Sequence, residues 1–318
     1  MSTVSPTSLE ETCLSFICTN IDDLCCEDVD SVEDFGLSCP SRLKFIFPIF
    51  LHEQLAESIM KALSCNGKLT TRTASLFSNP KTCRIRKFDL RKTEISGDVI
   101  KHVLTQHRVL KLDLHGTTLS HSVLDELLNL VSPTLRELNL SCTAYLVDFS
   151  IVHPLIFLTH LDVSGTTIAD NELCEASQHL NCLEFINISN TSITETGSFG
   201  KLKGRLKTLL AFNAPVAWKN PIEFKEFPSL QMLDISRNPD NMTGYDWPSH
   251  AEKLEEMLGD HHIMPELVYL DVSGTPRILD DPLQSFLNSH PKLQFLGLCK
   301  TGFTSHAKWL PTHIEVTY

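Results

Sequence analysis

The sequence predicts an α/β solenoid, and three observations predict it. One phrase of about eleven residues recurs nine times between residues 85 and 303. Within each copy apolar residues alternate over a few positions, as in a strand buried on one face. Between copies lie stretches with helical spacing, such as Val123, Leu124, Leu127 and Leu130 in "SHSVLDELLNLVS". A chain of 318 residues, 42% hydrophobic, can bury a large core, but it exceeds the usual single-domain size unless it is a barrel or a repeat array.

The copies read "IRKFDLRKTEI", "VLKLDLHGTTL", "LRELNLSCTAYL", "LTHLDVSGTTI", "LEFINISNTSI", "LKTLLAFNAPV", "LQMLDISRN", "LVYLDVSGT" and "LQFLGLCKTGF". Their first apolar positions are Ile85, Val109, Leu135, Leu158, Leu183, Leu206, Leu230, Leu267 and Leu293, 23 to 26 residues apart except for one interval of 37. This is the leucine-rich repeat, L-x-x-L-x-L-x-x-N/C-x-L. Each repeat gives one short strand to a parallel sheet and returns through a helix or turn, and only stacking buries its leucines. Threonine mostly replaces the ladder asparagine (Thr93, Thr117, Thr143, Thr166, Thr191, Thr275, Thr301), with Ala214 and Asn238 as exceptions. A hydroxyl has fewer donor sites than an amide, so a looser ladder is expected. The long interval holds an insertion, "NPDNMTGYDWPSHAEKLEEMLGDHHIM", expected as a loop followed by a helix at "AEKLEEML".

Strand alternation assigns the side chains of the inner face. One column is a polar lattice of Asp and Asn, from Asp89 and Asp113 to Asp234 and Asp271, and the next is mostly serine. Such a lattice reads first as a way to solvate a sheet. The flanking column changes from Lys87 and Lys111 to Phe185, Met232, Tyr269 and Phe295. With Phe212 these form an apolar region in the later repeats, a possible contact for a protein substrate or another domain.

Composition excludes several classes. The net charge is −12, and residues 1–41 hold nine acids and no Lys or Arg. An acidic arm beside a near-neutral body argues against nucleic acid or anionic membrane as the main partner. The longest apolar run, "LKFIFPIFL", has nine residues, well short of the roughly 20 that span a bilayer. No signal sequence opens the chain, and eleven scattered cysteines form no CxxC pair, so the expected compartment is cytoplasm or nucleus with reduced thiols. Phosphate loops, HExxH, GxSxG and metal-spaced Cys/His clusters are absent; the chain is expected to bind without catalysis, cofactor or metal.

Ahead of the repeats stands "SLEETCLSFI". Leu9, Cys13 and Ile17 fall at intervals of four, with Ser8 at the start, as in a helix that docks in a groove. The same stripe would also serve a helix that caps the first repeat. The pattern S/T-L-x-x-x-C-x-x-x-Φ resembles the elongin-binding box. Farther on, Phe47-Pro48, Leu51 and Leu55 in "FPIFLHEQL" resemble the cullin-two box, Φ-P-x-x-Φ-x-x-x-Φ; Phe50 stands where a cullin-five box has proline. With "GKLTTRTASLF" and "IMPELVYLDVSG", the chain resembles the Zyg-eleven/Zer-one family, substrate receptors of cullin-two ubiquitin ligases.

That resemblance implies elongin C contacts, with elongin B alongside, at Ser8, Leu9, Cys13 and Ile17, and cullin-two contacts at Phe47, Pro48 and Leu51. It implies an unknown protein substrate for proteasomal degradation. Family members continue into an armadillo-like array, whereas this chain stops at Tyr318. The expected organisation is a helical module over 1–80, with an acidic linker over 19–41, repeats over 81–303, and a tail over 304–318. The other reading is a plain repeat scaffold whose amino-terminal helices only cap the solenoid.

Overall fold

The computed structural model describes residues 8–27, 43–46, 50–144, 146–216, 221–237, 247–275, 278–301, 303 and 309–318. The chain forms two compact units, Met1–Val147 and Asp148–Tyr318, each considered by itself.

The first unit opens with helix α1 (Leu9–Thr19) and a two-stranded antiparallel hairpin of β1 (Cys25–Glu27) and β2 (Leu43–Phe45). Helix α2 (Glu53–Cys65) and the short α3 (Thr71–Ala74) follow. Three parallel strands come next, β3 (Lys87–Asp89), β4 (Lys111–Asp113) and β5 (Glu137–Asn139), with α4 (Gly97–Thr105) and α5 (His121–Val131) as the returns. Thus the helical module and the first three repeats share one unit, because the buried face of α2 (Ala56, Ile59, Met60, Leu63) lies against the start of the sheet.

The second unit continues with β6 (His160–Asp162), α6 (Asp170–Ala176), β7 (Phe185–Asn187), β8 (Thr208–Leu210) and β9 (Met232–Asp234). It ends with α7 (Trp247–Gly259), β10 (Tyr269–Asp271), α8 (Asp280–Ser289), β11 (Phe295–Gly297) and β12 (Glu315–Thr317). The strands pair in parallel from β6 to β12. All nine expected strands are present, and β12 adds a tenth inside the segment expected as a tail. The insertion helix is present as α7; the preceding residues 238–246 lie outside the described residues.

The kind of return follows chain length only in part, since the first unit's 24-residue interval from Ile85 to Val109 returns through α4. In the second unit the intervals of 23 and 24 residues return through 3-10 helices (Thr196–Gly204, Pro221–Glu226), whereas those of 25, 26 and 37 return through α6, α8 and α7. A 3-10 helix rises about 2.0 Å per residue against 1.5 Å for an α-helix, so fewer residues cover the same outer path.

The middle residue of each of the nine repeat strands points into the core: Phe88, Leu112 and Leu138 in one unit, Leu161, Ile186, Leu209, Leu233, Leu270 and Leu296 in the other. After the strand in eight of the nine repeats the chain turns through a left-handed residue at a fixed offset: Lys92, Gly116 and Cys142, then Gly165, Asn190, Asn213, Gly274 and Lys300. There the backbone N–H reaches the next repeat, as from Lys92 to His115 O (2.8 Å) and from Gly274 to Cys299 O (2.7 Å). The threonine hydroxyls do something different from a ladder. Thr93, Thr117, Thr143, Thr166, Thr191 and Thr301 each donate to the carbonyl three residues back, at 2.6–2.9 Å, closing their own turn. Backbone amides, not side chains, carry the repeat-to-repeat links at this position.

Candidate interaction surfaces

Helix α1 starts at Ser8 because its side chain and that of Glu11 cap each other's backbone: Glu11 N donates to Ser8 Oγ (3.1 Å) and Ser8 N to Glu11 Oε2 (2.8 Å). Glu10 and Glu11 add favourable charge at the positive end of the helix. The far end is closed by Asn20, whose Nδ2 donates to Phe16 O (2.8 Å).

At 100° per residue the helix has two apolar sides. Cys18, on one side, is 4% exposed, and Ile21, just past the end of the helix, is 1% exposed. Leu9, Cys13 and Phe16 line the other; Leu9 is 81% and Phe16 61% exposed, Cys13 is exposed and Ile17 half-buried. Phe16 was not among the sequence candidates, although its spacing from Leu9 and Cys13 (i, i+4, i+7) carries that signal. Ser8 sets the start of the helix through its side chain.

Of the residues matching the cullin-two box, Phe47 and Pro48 lie outside the described residues. Leu51 is buried, its N–H donating to Thr82 O (2.7 Å) in a bridge beside Cys83. Phe50 and Leu55 are exposed instead. Burial pushes the thiols of Cys25 and Cys83 up to about 11, which keeps them protonated and unreactive near neutrality.

One face of α2 closes the open edge of the sheet. Arg86 N and Lys87 N both donate to Glu57 Oε1, each at 3.0 Å. One repeat later the equivalent amides of Leu110 and Lys111 donate to Arg86 O (2.8 and 3.0 Å), and those of Arg136 and Glu137 to Leu110 O. The Glu57 carboxylate therefore occupies the place of a preceding repeat's carbonyl. A hydroxyl of the same helix, Ser64 Oγ, donates to Arg91 O (3.2 Å).

Beside this cap opens a cavity of about 360 Å³ lined by Ser58, Lys61, Lys87, Arg91, Asp89 and Asp113 among others. Arg91 spans both aspartates, Nη2 lying 2.7 Å from Asp89 Oδ2 and 3.3 Å from Asp113 Oδ2. Backbone amides add to this: His115 N donates to Asp113 Oδ1 at 3.0 Å. Among the described residues no group of three or more His, Cys, Asp or Glu could hold a metal.

In the second unit register places His160, Phe185, Thr208, Met232, Tyr269 and Phe295 side by side. Thr208 separates Phe185 from the run Met232–Tyr269–Phe295. Tyr269 and Phe295 stack with centroids 4.2 Å apart and planes at 4°, while Phe185 stacks on His160 at 5.4 Å. Phe185, Phe212, Met232, Tyr269 and Phe295 are all half-buried, Phe212 lying on a different column. The Tyr269 hydroxyl is pushed up to about 12 by burial and then by Asp271 and Asp234.

Short parallel strands, a buried leucine in each, and a left-handed turn at a constant offset define a leucine-rich-repeat protein, a fold of binding surfaces. No family model matches the chain. It is similar to two Arabidopsis thaliana proteins: Receptor like protein 24, 25% identical over 154 residues (48% of this chain, 18% of the relative), and Receptor like protein 22, 25% identical over 180 residues (57% and 21%). The chain thus spans about a fifth of the length of these curated relatives. Among solved structures it is similar to an internalin (inlF) from Listeria monocytogenes, with TM-score 0.41 and 13% identity over 77% of this chain and 81% of the other. A TLR13–ssRNA13 complex gives TM-score 0.46 and 18% identity, covering 76% and 36%. No helix among the described residues is long and apolar enough to cross a membrane.

Proposed function

We propose that this protein is a non-catalytic substrate receptor of a cullin-two/elongin B/C ubiquitin ligase, acting in the cytoplasm or nucleus. The observation that carries the reading is the outward stripe of Leu9, Cys13 and Phe16 on a helix anchored by its opposite side. A helix that served only as a cap would bury its apolar stripe, and here α2 performs the capping. Exposed leucine and phenylalanine beside a small cysteine suit insertion into a hydrophobic groove of elongin C. Because Leu51 is buried, cullin-two contact is assigned to the neighbouring exposed Phe50 and Leu55.

Calorimetry of purified elongin B/C against the full chain tests this. Saturable binding, lost in a folded Leu9→Asp/Cys13→Arg variant, is expected. Absence of binding by the unaltered chain returns it to the other reading, an interaction scaffold that shares the α2 cap.

A further inference from the structure

The two units contain the same arrangement of adjacent aspartates, and among the described sheet-face residues only the first pair is bridged by a cation. In the first unit Asp89 and Asp113 are register partners on β3 and β4, and Arg91, two residues after Asp89, bridges both. In the second unit Asp234 and Asp271 are register partners on β9 and β10. The residue two positions after Asp234 is Ser236, and after Asp271 it is Ser273. Ser236 N donates to Asp234 Oδ1 at 2.9 Å, and Ser273 N to Asp271 Oδ1 at 2.9 Å. Over the three sheet-face positions from β6 to β12 there is no Lys or Arg, whereas Asp162, Asp234 and Asp271 are all acidic.

Beside this acid pair, in the same register rows, runs the apolar strip of Met232, Tyr269 and Phe295. The next row after Asp271 is Gly297, where a Cβ would come within 2.2 Å of Asp271 Oδ1, so the glycine leaves room for that carboxylate. The face thus combines a stacked aromatic pair with two neighbouring carboxylates. Their strands lie about 4.8 Å apart, and the Asp271 carboxylate lies over Gly297, on the side away from Asp234, which leaves the space between the two carboxylates open to one guanidinium.

We propose that this sheet face binds an extended, cationic peptide segment of a partner protein. One arginine sits between Asp234 and Asp271, as Arg91 does in the first unit, with a neighbouring apolar side chain against Tyr269 and Phe295. A guanidinium suits the pair because its planar fork can serve two carboxylates and it is more weakly hydrated than an ammonium. That this segment belongs to a ligase substrate rests on the proposed function; the binding itself does not.

The test is fluorescence anisotropy of the full chain with a labelled decapeptide, Gly/Ser-rich with a central Leu-Arg-Leu, alongside copies carrying citrulline or glutamate in place of arginine. Saturable binding is expected, weaker by about tenfold or more for the neutral citrulline peptide and absent for the glutamate one. Asp271→Asn should weaken the arginine peptide by a similar factor, whereas Leu9→Asp, which abolishes elongin binding on the proposed function, should leave it unchanged. Ser236→Arg supplies the cation in cis and should abolish peptide binding in a chain that remains folded by circular dichroism. Equal binding of the arginine and citrulline peptides, binding unaltered by Asp271→Asn, or no binding at all would overturn the inference. The acidic amino-terminal arm would also favour the arginine peptide, and Asp271→Asn, which leaves that arm unchanged, separates binding at the sheet face from binding at the arm.

Discussion

Replacing Glu57 by alanine removes the acceptor shared by Arg86 N and Lys87 N at 3.0 Å each. Hydrogen bonds to a charged group contribute about 1.5–3 kcal/mol when desolvated, but both amides lie at an exposed edge where water replaces the carboxylate, so about 1 kcal/mol each is the better figure. Alanine's helix propensity returns a few tenths of a kcal/mol. The expected net loss is therefore about 1–2 kcal/mol, or roughly 2–8 °C in the melting of a unit of this size. Glu57→Gln keeps a carbonyl acceptor in the same place and should cost less than half as much. Urea unfolding monitored by circular dichroism gives the stability, and amide hydrogen exchange at Arg86 and Lys87 locates it. Faster exchange at those two amides with a lowered midpoint is expected. An unchanged midpoint with unchanged exchange, or a Gln variant as damaging as the Ala variant, would refute the capping role.

Leu9→Asp combined with Cys13→Arg touches only exposed side chains, so thermal stability should stay within about 0.5 kcal/mol while elongin binding is lost. On the opposite side of the amino-terminal segment, Ile21→Ala removes a side chain that is 1% exposed and should cost about 2–4 kcal/mol in urea unfolding. Gly274→Ala, at φ +78° with its new Cβ 2.1 Å from Arg237 O, should destabilise by well over the about 1 kcal/mol expected at Gly67, where φ is +63° and nothing lies within 4 Å. The Asp234 carboxyl is raised above 3.8 by burial, with Asp271 adding to the effect and the Ser236 hydrogen bonds opposing it. A raised carboxyl costs stability as pH climbs through its folded pKa, so Asp234→Asn should melt higher than the unaltered chain at pH 7, the difference closing below about pH 3.8. His107 is lowered from 6.5 by burial, against the Phe77 carbonyl that favours its charged form. Its contribution to stability is complete above about pH 6.5 and declines as pH falls toward the lower folded pKa, so melting curves at pH 7.5 and 5.5 should differ more for the unaltered chain than for His107→Gln.

By itself the sequence determined the solenoid and the faces of its strands. A period near 24 residues repeats a local rule, and alternation along three residues needs no distant partner to be read, so the columns from Asp89 to Gly297 fall where the pattern puts them. It also marked Leu9, Cys13 and Ile17 as one stripe, because four-residue spacing is a local property of a helix. Tertiary structure decided whether that stripe is covered. It turned Cys18 and Ile21 inward and left Leu9 and Phe16 outside, a choice between two apolar sides of similar strength in sequence. Leu51 went the other way, into the core, because its backbone bridges Cys83, 32 residues later, and not because of its neighbours in the motif. Glu57 meets Arg86 and Lys87 across about 30 residues of chain, and no periodicity announces a carboxylate that replaces a missing carbonyl. Strand β12 was hidden for a related reason: "HIEVTY" is too short to show a repeat, and it becomes a strand by pairing with the edge that β11 offers. The difference between the Arg91-bridged aspartates and the pair at Asp234 and Asp271 likewise required the register of neighbouring strands, since only that register brings residues 24 or 37 positions apart within reach of one cation.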